Sequence, residues 1–433
     1  MNKKWILAVI LVLMLSGTAL VLAVKAQERV GAVATKVIKV DRGMSALDRK
    51  CIECHQDTSP SIVLDWKNSM HGRSGITCSD CHRANRGEPD AFQCSGLKGT
   101  DLLITALPSP KDCSRCHPAE ARQFSVSDHA AGYDSVVKLR SMSIEWEGKG
   151  SDTPEVTGCI QCHGSKVSFV KGRPSGSHYP QEGIGRVNPD GSKGNCGSCH
   201  TRHRFSLVEA RMAETCGSCH IGPDHPQIEI WQESNHGKRY QAERHAWNWE
   251  SAPDAWEPGD YSAPTCAVCH MSGIGRLSTT HDISQRLSWE AEKPLSVKTS
   301  NWEAKRREMQ SVCLNCHSPA WVNGFYAQYD GAIALYNEQY YKPAKAMIDD
   351  LYANNLITRD NPWDDEIEIV LYHLWHHEGR RARMGTAMMG QDYAHWHGFF
   401  ELAQDLDKMK KEYGRIKREG KPVKKGKPGK GGY

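Results

Sequence analysis

Sixteen of the chain's 17 cysteines fall into eight copies of one five-residue unit, Cys-x-x-Cys-His. In chain order these are Cys51–Cys54–His55, Cys78–Cys81–His82, Cys113–Cys116–His117, Cys159–Cys162–His163, Cys196–Cys199–His200, Cys216–Cys219–His220, Cys266–Cys269–His270 and Cys313–Cys316–His317. Two intervening residues let a pair of thiols reach opposite edges of one porphyrin, and the adjacent imidazole is held where it can ligate iron. The unit is therefore the attachment signature of c-type haem. A zinc site would need two CxxC pairs per metal and no systematic histidine. A disulfide framework needs no histidine either. Eight repeats without an exception imply eight covalently attached haems. Cys94 is left over, in Phe92-Gln93-Cys94-Ser95-Gly96; it reads as a buried or half-buried free thiol, with a ligand or redox role as the alternative.

Haem of this kind is attached outside the cytoplasm, and the N-terminus fits that. Lys3 and Lys4 precede an uncharged apolar run, Trp5 to Val24, followed by Lys25-Ala26-Gln27. The pattern is that of a secretory signal with Val24 and Ala26 at the cleavage point. A run of about 20 residues is also long enough to span a bilayer. Residues 1–26 are expected to be a signal peptide or a retained N-terminal anchor. The body is then periplasmic or otherwise extracytoplasmic.

Only 39% of residues are hydrophobic and the mean hydropathy is −0.60, a poor basis for a conventional core in 433 residues. Porphyrin surfaces can stand in for side chains, so the chain without haem is not expected to fold. The formal charge of +4 is offset by two propionates per haem. The mature particle is expected to be acidic, and nucleic-acid binding has no support.

A second pattern supplies axial ligands. Trp66-x-x-Ser69-x-His71, Phe124-x-x-Ser127-x-His129 and Trp231-x-x-Ser234-x-His236 share an aromatic, a serine and a histidine at fixed offsets. The aromatic can pack on a porphyrin while the histidine ligates iron from the distal side. Of 21 histidines, eight belong to the CxxCH units. Seven distal ligands would leave one iron open. Besides His71, His129 and His236, the candidates are His203, His245, His281 and His376.

The fold expected is mainly α, a haem-packed core with long C-terminal helices. Residues 27–319 form the octahaem region, with irregular motif spacing and loop-like intervals such as Gly172 to Gly194. Residues 320–419 form a helical region, in which Ala320 to Leu356, Asp364 to Met389 and Tyr393 to Glu419 carry helical periodicity. Pro362 marks the second start. Residues 420–433 are a basic Lys/Gly-rich tail.

Two further segments matter: Cys216-Gly-Ser-Cys-His-Ile-Gly-Pro-Asp224-His225-Pro-Gln, and Met388-Met-Gly-Gln-Asp-Tyr393-Ala-His-Trp-His397-Gly following His376-His377-Glu-Gly-Arg-Arg. With the number and order of the haem motifs, they make the chain resemble the octahaem hydroxylamine oxidoreductase family over nearly its whole mature length. All eight motifs end in histidine, unlike the pentahaem nitrite reductases with their lysine-ligated haem.

The resemblance implies that the fourth haem, on Cys159, Cys162 and His163, is catalytic with an open distal face. It places Asp224 and His225 in the pocket above that haem. Tyr393 matches a tyrosine that, in oxidising members, bonds covalently to the catalytic porphyrin of a neighbouring subunit, which implies a homotrimer and a tyrosine-modified haem. The activity implied is oxidation of hydroxylamine (or hydrazine), with electrons passing through seven bis-His haems to a cytochrome or a quinone-linked membrane protein. Two alternatives stand beside it: nitrite or hydroxylamine reduction on the same scaffold, and a pure multihaem electron carrier.

Overall fold

The computed structural model describes residues 43–138, 158–170, 173–175, 183–359 and 364–420; the apolar N-terminal run, Pro362 and the tail beyond Gly420 lie outside the described residues. The architecture is mainly α, as the periodicity implied, and the strands are two short antiparallel pairs. β1 (Arg83–Ala84) pairs with β2 (Leu103–Ile104). β3 (Ser168–Val170) pairs with β4 (Arg173–Ser175), and β4 lies inside the interval from Gly172 that the Gly and Pro content marked as loop. Backbone pairing there overrides composition.

The CxxCH units fold as single helical turns or helix ends. α1 (Ala46–Thr58) carries the first unit, α2 (Pro60–Asn68) follows it, α3 (Pro118–Val126) follows the third, and α4 (Cys159–His163) is the fourth itself. One turn of helix puts residues three and four apart on one face. In the units that are helical throughout, such as Cys159–His163 and Cys266–His270, both thiols and the imidazole therefore fall on one face.

α5 (Gln227–Glu233) and α6 (Asn235–Glu243) follow the sixth unit, and α7 (Trp302–Cys313) ends in the eighth. Between them lies an aromatic cluster in which Trp231, Tyr240, Trp247, Trp256 and Tyr261 are buried. Arg211 is drawn into it over the Trp256 ring, its guanidinium donating to the Trp249 and Ala252 carbonyls.

Beyond the eighth unit come three long helices, each interrupted by a wider π-helical turn. α8 (Pro319–Leu335) runs through Tyr336–Tyr341 into α9 (Lys342–Ala353). α10 (Glu366–His373) runs through Leu374–Glu378 into α11 (Gly379–Met388). A short turn at Gln391–Ala394 leads through His395–Phe400 into α12 (Glu401–Glu419). Their shared core holds Tyr336, Ile348, Leu351, Ile367, Leu374, Leu402, Met409 and Ile416. Each such side chain contributes about 1.5–3 kcal/mol on burial. Arg383 is fully buried beneath them, donating to the Gly379, Lys293 and Trp375 carbonyls and to Ser296 Oγ. It ties the helices to the haem-motif segment, and the described residues from Gly43 on form one compact unit. Among the described residues no helix is long and apolar enough to cross a membrane.

Candidate haem centres and the Asp224–His225 pocket

Six histidines of the CxxCH units each face one other histidine across a nearly constant gap. The ring centres are 6.0 Å apart for His117 and His71, 6.1 Å for His82 and His203, and 6.1 Å for His220 and His129. They are 6.5 Å apart for His200 and His281, 6.1 Å for His317 and His236, and 6.3 Å for His163 and His225. Two imidazoles bound trans to one iron through metal–nitrogen bonds of about 2 Å put their ring centres roughly 6 Å apart. The spacing fits a haem iron between the rings of the first five pairs, and the sixth pair, His163 and His225, shares the gap. Burial pushes His129, His200, His203 and His270 down to about 4, which keeps these imidazoles in the neutral form that binds metal. His82 Nδ1 is 2.8 Å from the Thr105 carbonyl and His163 Nδ1 is 3.2 Å from that of Gly132. Those contacts fix the tautomer and leave Nε2 for iron.

All 17 cysteines are free thiols, Cys94 among them and half-buried. Among the described residues, the group of side chains close enough to share a metal ion is Asp364, Asp365 and Glu368, not a Cys/His set. Thiols of different units touch instead: Cys51 and Cys78, Cys113 and Cys196, Cys162 and Cys219, and Cys216 and Cys266 are hydrogen-bonded. Unit four therefore adjoins unit six, and six adjoins seven.

The aromatic-x-x-Ser-x-His pattern works through its serine. Ser69, Ser127 and Ser234 are almost fully buried, and each backbone N–H is bonded to the carbonyl of the aromatic three residues back. Each hydroxyl then caps the next turn, accepting from the N–H of Gly72, His129 or Gly237. One helix ends and another begins at the serine, and this bend carries His71, His129 and His236 to their partners. Trp66 Nε1 donates to the Ile76 carbonyl and Trp231 Nε1 to that of Pro264.

Two expected distal ligands are placed elsewhere. His245 is exposed within the Arg244–Ala246 turn after α6, and among the described residues no ring contact joins it to a CxxCH histidine. His376 is buried in the π-helical turn, stacked on Tyr372 at 4.5 Å and 6.4 Å from His225. The wider turn aims it at the pocket instead of at a motif histidine. Within the described residues, His55 and His270 face no second histidine.

The pocket is assembled from distant segments. Asp224 and His225 lie in the loop between the sixth unit and α5, and α11 supplies Arg380. Gly132, Gly164 and Gly185 let three backbone stretches cross behind His163; a Cβ on Gly185 would sit 2.7 Å from the Gly132 Cα. His225 Nδ1 is 2.9 Å from Asp224 Oδ2, and its Nε2 is 3.4 Å from Arg380 Nη1. Nδ1 is thus the donor and Nε2 the acceptor. Arg380 also donates to the Asp224 and Glu292 carbonyls. Burial raises Asp224, but the hydrogen bond and charge of His225, with His376 nearby, outweigh it and hold the carboxyl well below its usual range. Arg381 Nε donates to the Pro223 carbonyl and its Nη1 pairs with Glu401, tying the loop to α12.

His225 differs from the five other facing histidines in this respect. Both its ring nitrogens are held by protein groups, whereas no hydrogen bond among the described residues occupies those of His71, His129, His203, His236 or His281. Tyr393 is half-buried, packs on His397 at 5.5 Å and lies near Glu229 and Glu233; within the chain no ring contact joins it to His163 or His225. The Arg380 contact had no signal in sequence beyond an Arg-rich run, because it depends on how α11 packs.

Family models agree with this geometry. Residues 187–362 match a model described as seven times multi-haem cytochrome CxxCH, and residues 112–201 match cytochrome c554 and c-prime. The chain is a multihaem c-type cytochrome. It is 26% identical over 315 residues to a probable nitrite reductase-hydroxylamine oxidoreductase fusion protein of Kuenenia stuttgartiensis, which covers 62% of this chain but only 34% of that relative's length. The fold is similar to that of a hypothetical multiheme protein (TM-score 0.78, 24% identity, 89% of this chain and 99% of that one). It is also similar to a reducing HAO-like protein complex of Kuenenia stuttgartiensis (TM-score 0.63, 20% identity, 86% of each chain). Multihaem c-type cytochromes are typically exported, extracytoplasmic proteins.

Proposed function

We propose that the chain carries eight haems and acts as an oxidoreductase on a small nitrogenous molecule at the haem held by Cys159, Cys162 and His163. The observation that carries this reading is the engagement of both His225 nitrogens, which keeps that imidazole from serving as a sixth ligand although it faces His163. When bound, the haem supplies an iron that can hold a substrate nitrogen and accept electrons one at a time.

Converting hydroxylamine to nitric oxide releases three electrons and three protons, so proton removal is as much of the task as electron removal. His225 Nε2 is the base in the pocket. Asp224 holds the ring in the Nδ1–H tautomer and stabilises the imidazolium after proton uptake. Arg380 satisfies that nitrogen at rest and yields it to an incoming N–H or O–H. The contact between units four and six gives electrons an exit toward the other seven haems, and onward to a cytochrome or a quinone-linked membrane protein.

Hydroxylamine (or hydrazine) oxidation is the lead reading. A trimer in which Tyr393 reaches the fourth haem of an adjacent subunit belongs to it. Reduction of nitrite on the same site is the second reading. The buried Arg380 guanidinium favours it, because a fixed positive charge beside the open face suits an anion.

Optical and electron paramagnetic resonance spectra of the ferric protein, with and without hydroxylamine and cyanide, test the proposal. One high-spin haem that takes up both ligands is expected. Fully low-spin spectra that neither ligand changes would sink the enzyme readings and leave an electron carrier. In the reduced protein, a red-shifted band that Tyr393→Phe abolishes would mark the oxidising form; a high-spin haem without that band would favour reduction.

A further inference from the structure

We propose that His376, His377 and His373 form a proton relay joining the Asp224–His225 pocket to solvent, an inference that rests on the pocket reading above. The rings run in sequence from the pocket outward. His225 and His376 have centres 6.4 Å apart, His376 and His377 5.4 Å, and His377 and His373 4.9 Å. Exposure rises along the run: His376 is 6% exposed, His377 is half-buried and His373 lies at the surface.

Residues 373, 376 and 377 share a helix face by their spacing, and the π-helical turn Leu374–Glu378 sets that face against the pocket. Such turns concentrate at functional sites. Nδ1 of His376 is buried without a hydrogen-bond partner, an expensive state for a group that only fills space. Burial, with Arg380 beside it, pushes His376 down to about 3. Burial and the neighbouring His373 push His377 down to about 4. Both are therefore neutral at rest, each with a lone pair able to take a passing proton.

The transfer is balanced at every step. A proton leaves His225, and each imidazole gains one on one nitrogen as it releases one from the other. The last proton passes from His373 to water. Only N–H bonds break and form, no electron moves, and the gaps are within reach of a single bridging water. Oxidising chemistry would run the relay outward and reducing chemistry inward.

Cyanide binding to the ferric holoprotein isolates proton movement from turnover, because hydrogen cyanide must lose its proton to bind as the anion. His373→Gln and His377→Gln are the variants, the first at an exposed position that the fold tolerates. Stopped-flow association is expected to be roughly tenfold slower in each, a modest share of what a general acid–base group contributes. The equilibrium affinity should be unchanged, and imidazole buffer should restore the rate. Wild-type protein that binds cyanide, with variants that bind it at the same rate, would overturn the relay alone. A matching loss of affinity would overturn it too, as the mark of a merely structural role. Wild-type protein that binds no cyanide would remove the pocket reading and the relay with it.

Discussion

His225 and the five other facing histidines share one geometry, and what separates them is the company each keeps. His225 has a carboxylate on one side and a guanidinium on the other, and the proposed function makes this imidazole the base. Asp224→Asn keeps the shape of that contact but removes its charge and lets the ring adopt the wrong tautomer. Turnover is expected to fall about 10²–10⁴-fold, the range for a positioned acid–base group, while the haem spectra stay unchanged. Steady-state kinetics beside an optical titration check it; equal losses in turnover and haem content would mean that the aspartate merely holds the loop. The pair itself was legible in the sequence only through the family resemblance that the Asp224-His225-Pro-Gln segment carries. Arg380 was not, since about 155 residues of chain separate it from the loop and only the packing of α11 brings it back. His376 was read as a candidate distal ligand; its place beside His225 was not legible, because a regular helix and a π-helical turn point the same residue to different places.

At the scale of elements, the three serine bends explain how a chain with few long helices in its first three hundred residues holds histidines so consistently. Ser234 is the best placed for a test, being 1% exposed, with its hydroxyl accepting from the Gly237 N–H and donating to the Trp231 carbonyl. Replacing an N-cap serine by alanine costs about 0.5–2 kcal/mol, and a buried site should sit at the upper end. Ser234→Ala is expected to lower the melting temperature and to loosen His236 from His317, seen as one haem gaining high-spin character. Stability lost with the spectrum intact would limit the serine to capping. The pattern was readable as aromatic, serine and histidine; the part played by the aromatic's carbonyl, which accepts from the serine N–H three residues on, was not. The three C-terminal helices were readable from their period. Their π-helical turns were not, because nothing local in Tyr336–Tyr341 or Leu374–Glu378 demands them. Gly379, next to one turn, lies against the ring of Tyr336 in the other, so close that a Cβ there would sit 2.6 Å from it.

Across the molecule the apolar core is uneven. The C-terminal helices share a cluster of twelve buried residues, and the segment around Trp231 to Val312 has its own of eleven. Among the described residues between Gly43 and His200 the buried apolar residues are scattered singly, Ala84, Leu97, Leu107, Ala130 and Ile160 among them, and no cluster gathers them. Haem attached through Cys51 to His200 must supply the missing apolar surface there. The chain made without haem attachment is therefore expected to lose its first half and keep a helical remnant. Limited proteolysis of that material should degrade residues 43–200 quickly and leave a fragment bounded near Pro319 and Glu419, whereas the haem-loaded protein should resist cleavage throughout. Uniform digestion of the haem-free chain would show that the C-terminal helices depend on haem as well. In that case Arg383 and its bonds to Lys293 and Ser296 would be the coupling to examine, since they join those helices to the haem-bearing segment.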